Sequence, residues 1–237
     1  MPIHFKPLGD HALLVTFGEG ISEEIHASIK RFVITLEEHP FKGFIEVVPS
    51  YTNICIYYDV YLVNQWKFEG SSPYEKVVNY IQTLSQKDEV VLNETFRLIE
   101  IPVCYGGDYG PDLAEVAYYH HLSEQEVIKI HTKNECLIYM LGFAPGFAFM
   151  GGMDETIATP RKETPRLKIP TGSVGIAGKQ TGIYPFETPG GWQIIGRTPL
   201  QLFLPEQNPP TLFRAGDRIR FVSISEQEYM KLAGESI

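Results

Sequence analysis

Residues 169–200 read IPTGSVGIAGKQTGIYPFETPGGWQIIGRTPL, and glycine or proline interrupts every apolar run within a few positions. The same texture extends upstream: 140–200 contains 11 Gly and 7 Pro in 61 residues, interleaved with short apolar runs. Such punctuation prevents helices and fits a barrel of short strands and tight turns. No helical period appears beyond Glu135 until the last dozen residues, where Arg218–Ser223 reads as one more strand followed by a short helix. Immediately upstream, two short helices are expected over Pro111–His120 and Glu124–Thr132. The second is opened by a capping box, Ser123-x-x-Glu126.

The first hundred residues have a different character. Ala12–Phe17 is a short apolar run bounded by turn residues, hence a strand. Ser22 caps a helix that places Ile25, Ile29, Phe32, Val33 and Leu36 on one face, and Pro40 and Gly43 end it. Phe44–Val48 and Asn53–Tyr58 read as strands, rich in β-branched and aromatic residues. Ser72-Pro73-Tyr74-Glu75 opens a second helix, with Pro at the first helical position and Tyr74, Val77, Val78, Ile81 and Leu84 facing inward. Arg97–Val103 is a strand that would close the order β-α-β-β-α-β, which suggests a small ferredoxin-like domain. The expectation is an α+β protein of two domains, 1–94 and 95–237.

Composition narrows the function. A net charge of -9 excludes a general nucleic-acid binder, whose footprint is basic. Three cysteines, Cys55, Cys104 and Cys136, with no C-x-x-C, read as reduced thiols of a cytosolic protein. The N-terminus lacks the apolar stretch of a signal peptide. Cys136–Met153 holds 18 consecutive uncharged residues, but Gly142, Pro145, Gly146, Gly151 and Gly152 within it argue against a membrane helix.

Several enzyme signatures are excluded. Gly178-Lys179 hints at a phosphate loop, yet Ser173 stands where its first Gly belongs and Gln180 where Ser or Thr would bind Mg²⁺. No G-x-G-x-x-G, G-x-S-x-G, H-E-x-x-H or Cys/His quartet occurs, so no metal site is expected. His120, His121 and His131 read as exposed or satisfied histidines, and Glu100 as a solvent-facing acid. Thr181 and Ser173 are hydroxyls without a visible base. Catalytic residues are not identifiable from these patterns.

Positive clues remain. Residues 158–220 carry +5 and the rest of the chain -14. Arg161, Arg166 and Arg197 each adjoin Pro or Gly, so they stand on turns; they form an anion site at one rim of the barrel or are solvated arginines covering apolar surface. The loop Gly142-Phe-Ala-Pro-Gly-Phe-Ala-Phe-Met150 carries Phe143, Phe147 and Phe149. It floors a ligand pocket, presents a partner surface, or plugs the barrel. Trp192 after Gly190-Gly191 is either a stacking surface or a core residue.

Gly142-Phe-Ala-Pro-Gly-Phe147, Thr159-Pro-Arg161, Thr164-Pro-Arg166, Ile169-Pro-Thr-Gly-Ser-Val-Gly-Ile-Ala-Gly178 and Gln180-Thr-Gly182 together resemble the KipI family, which includes the first subunit of allophanate hydrolase and the B subunit of 5-oxoprolinase. So do Tyr184-Pro185, Thr188-Pro-Gly-Gly-Trp192, Gly196-Arg-Thr-Pro199, and upstream Ile101-Pro-Val-Cys-Tyr-Gly-Gly107 with Gly110-Pro-Asp112. The resemblance implies a cyclophilin-like β-barrel from about residue 95. It further implies a cytoplasmic component of an ATP-dependent 5-oxoprolinase, inactive alone, which converts 5-oxo-L-proline to L-glutamate with a homologous C subunit and a lactam-opening A subunit. ATP, with Mg²⁺, is the implied nucleotide. Arg161, Arg166 and Arg197 would then hold phosphate or substrate carboxylate, Gln180 and Tyr184 would contact the lactam, and Trp192 would wall the pocket. A related compound such as allophanate is an alternative substrate. The other implied role is inhibition of autophosphorylation of a sporulation sensor histidine kinase, with Phe143, Phe147, Phe149 or Trp192 as apolar anchors.

Overall fold

A computed structural model describes residues 3–85 and 97–235, which fall into two compact units, Met1–Thr95 and Phe96–Ile237. The first contains β1 (His4–Pro7), β2 (Ala12–Thr16), α1 (Glu23–Glu38), β3 (Phe44–Pro49), β4 (Asn53–Tyr58), α2 (Val60–Gln65) and α3 (Pro73–Ser85). Its four strands form an antiparallel sheet in the order β1-β2-β4-β3. Strand alternation and helix period meet in one core. Leu13 and Val15 of β2 and Ile54, Ile56 and Tyr58 of β4 pack with Ile25, Ile29, Phe32 and Leu36 of α1 and Val77, Ile81 and Leu84 of α3. Ser22 caps α1 by accepting from the Ile25 N–H. At α3 the Glu75 amide is capped by Ser72, while the Glu75 carboxylate takes the Ser71 amide.

Two elements here were not expected from sequence, β1 and α2. β1 forms a hairpin with β2 through a turn at Gly9 (φ 66°), closed by Leu8 N–H on Ala12 O. α2 is only six residues long, and Asp59 just before it is the N-cap, accepting from the Leu62 N–H. The strand expected over Arg97–Val103 does not close this sheet. The place beside β2 is taken by β1, and the residues 98–105 belong to the second unit.

The second unit contains β5 (Leu98–Tyr105), α4 (Leu113–Tyr119), α5 (Glu124–Lys133), β6 (Glu135–Leu141), β7 (Ala148–Gly151), β8 (Arg166–Ile169), β9 (Ser173–Ala177), β10 (Gln180–Ile183), β11 (Thr188–Gly190), β12 (Gln193–Arg197), β13 (Arg218–Ile224) and α6 (Glu226–Glu235). Seven strands run β10-β9-β12-β5-β13-β6-β7, and β10 at one end lies against β7 at the other, so the sheet is nearly closed. β5 pairs in parallel with β13 from Leu98↔Arg218 to Cys104↔Ile224, a non-local pairing that a reading of local pattern misses. Ile101, Val103, Ile138, Met150, Val174, Ile176, Ile195, Phe213 and Phe221 fill the interior. The uncharged stretch 136–153 is β6, a loop and β7, paired to each other. No described helix is long and apolar enough to cross a membrane, and the three cysteines are free thiols.

Candidate functional site

One wall of the second unit is aromatic. The loop between β6 and β7 turns at Pro145-Gly146 and brings Phe143, Phe147 and Phe149 against Tyr184 and Trp192. Phe147 is the hub, with ring centroids 5.1 Å from Phe149, 6.1 Å from Tyr184 and 6.0 Å from Trp192. Tyr184 and Trp192 lie 6.2 Å apart and nearly perpendicular, an edge-to-face arrangement that suits the ring quadrupoles. These rings, with Arg161 and Pro189-Gly190-Gly191, line a pocket of about 240 Å³. Two glycines make the wall possible. A Cβ on Gly182 would stand 2.9 Å from the Trp192 ring, and one on Gly190 would collide with the Tyr184 hydroxyl.

Phe143 stands at the mouth, 73% exposed, with φ 68°. That conformation is uncommon for a bulky residue and costs on the order of 1 kcal/mol. Its ring is held 5.4 Å from Phe147.

Arg161 supplies the charge. Its guanidinium carbon lies 6.0 Å over the Trp192 ring, a cation–π contact, and no carboxylate among the described residues pairs with it. Burial pushes the Tyr184 hydroxyl up to about 12, against the opposing pull of Arg161 and the Trp192 backbone. Tyr184 is therefore a protonated hydroxyl at neutral pH. The pocket offers apolar walls for a small ring, one unpaired cation and one neutral hydroxyl. It has the makings of a site for a small carboxylate-bearing molecule.

The other residues expected at an anion site lie elsewhere. Arg166 is committed to Asp112 through two parallel hydrogen bonds, Nη1 to Oδ2 at 2.8 Å and Nη2 to Oδ1 at 2.6 Å. Arg197 lies on β12 with its guanidinium 5.8 Å over the Tyr109 ring, opposite Ser173 and Cys104 on the neighbouring strands. Gln180 opens β10 opposite Ala177 and does not line the aromatic pocket. Lys179 of the rejected phosphate-loop pattern pairs with Glu155 at 2.8 Å. Arg161 thus faces the pocket as its one unpaired cation, which does not match the charge of a nucleoside triphosphate. ATP does not fit this pocket.

His131 is a core residue. It is buried on α5, with Nδ1 2.8 Å from the Tyr105 hydroxyl and Nε2 2.8 Å from the Thr181 hydroxyl. Burial lowers its pKa to about 3, so it is neutral at physiological pH. Glu100 is exposed on β5, 3.7 Å from Arg220.

Sequence reasoning missed Asp112. It precedes α4 at the N-cap position yet makes no side-chain cap. Its carboxylate instead accepts from Arg166, from the Ile194 amide at 2.7 Å and from Lys162 at 3.0 Å. Burial pushes this carboxyl upward, but these donors outweigh it and hold it below the usual range. The available signal was an Asp before a helix downstream of Gly-Gly and Gly-Pro. What it would bond to was not legible, because Arg166 and Ile194 are 54 and 82 residues away.

Comparison with known proteins agrees with this architecture. Residues 3–213 match the family described as carboxyltransferase domain, subdomain C and D. The B subunit of Bacillus subtilis 5-oxoprolinase is 52% identical over 232 residues, covering 98% of this chain and 97% of that protein. Among solved structures, a conserved uncharacterized protein from Pyrococcus horikoshii is 47% identical with a TM-score of 0.56, covering 95% of this chain and all of that one. The K. lactis urea amidolyase, 18% identical, shares the fold, with a TM-score of 0.76 over 99% of this chain and 15% of that one.

Proposed function

The chain belongs to the carboxyltransferase-domain family, subdomain C and D, within its KipI branch, and from that premise we propose that it is the B subunit of an ATP-dependent 5-oxoprolinase, acting in the cytoplasm with its A and C subunits to convert 5-oxo-L-proline to L-glutamate. The observation that carries this reading is the 52% identity to a 5-oxoprolinase B subunit along nearly the whole of both chains. Its two units are read as a ferredoxin-like variant followed by a cyclophilin-like barrel.

The aromatic pocket fits the substrate's chemistry. 5-Oxoproline is a five-membered lactam with one carboxylate, small enough for a cavity of about 240 Å³. Its carboxylate would pair with Arg161, its ring would lie between Phe147 and Trp192, and the protonated Tyr184 hydroxyl would donate to the lactam oxygen. Water is kept from the ring by the phenylalanines, which strengthens the charged contact. Arg166 supports the site through Asp112 rather than by touching the ligand. The nucleotide is assigned to the assembled complex rather than to this pocket.

The test is 5-oxoproline-dependent ATP hydrolysis, measured on the chain alone and after reconstitution with the A and C subunits. Turnover is expected in the complete mixture only, and Arg161→Ala should lower kcat/KM for 5-oxoproline about 10²-fold. Wild-type kinetics in that variant would remove Arg161 from the site. Silence in every mixture of folded, associated proteins would defeat the enzymatic reading. The exposed, strained Phe143 favours a second use of the same face, docking to an apolar partner such as a sensor histidine kinase. Phe143→Ser would then weaken kinase binding by a larger factor than it raises KM for 5-oxoproline, since Phe143 also stands at the mouth of the pocket.

A further inference from the structure

Arg161 is useful only while it stays over Trp192, and we propose that the Asp112 carboxylate is the positioning residue that keeps it there. Asp112 is 2% exposed and is tied to both partners of the pair. On the Arg161 side it holds Lys162, the next residue, at 3.0 Å, and Arg166 at the far end of the same short loop. On the Trp192 side it accepts the Ile194 amide at 2.7 Å and donates its own N–H to Ile194 O at 2.8 Å. The loop is also joined directly to the residue before Trp192, Lys162 N–H to Gly191 O at 2.7 Å. One side chain thereby fixes the separation between a guanidinium and an indole that it does not itself touch.

Charge makes the same assignment. Arg161, Lys162 and Arg166 are three cations within six residues. Asp112 compensates the latter two, with Glu115 at 2.7 Å sharing Lys162, and leaves Arg161 without a counter-ion. An incoming anion then has one cation to find, in one place. Without Asp112, Arg166 would be free to compete for it, and the loop carrying Arg161 would keep only the exposed Lys162–Glu115 pair as a charged anchor. This inference rests on the reading of Arg161 as the carboxylate-binding group, and its test separates the two.

The chain has two tryptophans, so Trp66→Phe leaves Trp192 as the sole indole reporter in the full-length protein. In that background, Arg161→Ala and Asp112→Asn should change Trp192 emission in the same direction and to a similar extent, and the double variant should add nothing. In the reconstituted complex, Asp112→Asn should raise KM for 5-oxoproline about tenfold or more with kcat within about twofold. A purely structural role would lower the folded fraction without this split. Lys162→Met keeps the Asp112–Arg166 pair and serves where Asp112→Asn does not fold; it should give a smaller emission change, again non-additive with Arg161→Ala. Folded Asp112→Asn with unchanged Trp192 emission and unchanged KM, or fully additive effects in the cycle, would overturn the proposal. A non-additive cycle with no effect of Arg161→Ala on KM would support the positioning role and sink the carboxylate assignment instead.

Discussion

The two units bury different chemistry. Of the ten buried polar or charged residues among those described, only His26 and Thr35 are in the first unit, whereas Asp112, His131, Thr159, Ser173, Thr181, Gln193, Thr198 and Asp217 are in the second. The first unit holds together by apolar burial and rings. Trp66 stacks on Phe68 at 4.4 Å and on Phe41 at 5.8 Å, with Tyr80 edge-on to all three. The second threads hydrogen bonds through its barrel, His131 to Thr181 and the Ile194 amide to Asp112 among them, while the buried Ser173 hydroxyl has no partner among the described residues; a buried polar group left unpaired carries a desolvation penalty of about 1–3 kcal/mol. Satisfied networks rigidify and specify one geometry. The difference teaches where a small-molecule site can be held to a fraction of an ångström, and the aromatic pocket lies on the polar-threaded unit.

The sharpest way to break this contrast is to remove one hub. Asp112→Ala leaves Arg166 and the Ile194 amide without their acceptor and Lys162 with Glu115 alone, and loss of one partner from a buried ion cluster costs about 3–5 kcal/mol. Ile56→Val in the first unit removes one methylene from a fully buried side chain and costs about 1 kcal/mol. Urea unfolding of the full chain, read by Trp192 in a Trp66→Phe background for the first variant and by Trp66 in a Trp192→Phe background for the second, measures both. Equal losses would mean that the polar hub is no more critical than an ordinary core contact.

Acid provides a milder probe. His131 is neutral when folded, with a pKa of about 3, and titrates near 6.5 when unfolded. Between those values the unfolded state binds the extra proton, so stability is unaffected above about pH 6.5. It falls by about 1.4 kcal/mol per pH unit as pH drops below that value. Lowering the pH from 7.5 to 5 should therefore cost roughly 2 kcal/mol in Trp192-reported unfolding. His131→Leu should remove that slope between pH 5 and 6.5 whatever it does to absolute stability. A slope surviving the substitution would assign the pH dependence to another group.

How much of this was legible follows the same divide. In the first unit, Ile25, Ile29, Phe32 and Leu36 repeat at helical spacing and Ile54, Ile56 and Tyr58 alternate, so local pattern and final packing agree. In the second, the Gly/Pro texture announced short strands, and the Phe143, Phe147, Phe149, Arg161, Tyr184 and Trp192 candidates do line one pocket. Which arginine stays unpaired was not readable. Arg161 and Arg166 sit in near-identical Thr-Pro-Arg contexts, and only the fold brings Asp112 to one of them. The parallel pairing of β5 with β13 was hidden for the same reason, since its partners lie 120 residues apart.

Where structure is purely local, the two units should behave alike, and helix caps test that limit. Ser22 accepts from Ile25 N–H at 3.1 Å in the first unit. Ser123 accepts from Glu126 N–H at 3.3 Å in the second, within a full capping box in which the Glu126 carboxylate accepts from the Ser123 amide at 2.8 Å. A cap satisfies one orphan amide of the first helical turn, and losing it costs about 1 kcal/mol in most settings. Ser22→Ala and Ser123→Ala should therefore each cost about 1 kcal/mol, although the cores beneath them differ. In Ser123→Ala, Glu126 can still reach the backbone amide, so the loss should stay at the lower end of the usual range. A penalty at Ser123 as large as that at Asp112 would show that the polar network extends out to α5 and sets helix stability as well as site geometry. A small, equal pair of losses would confine the contrast between the units to what they bury.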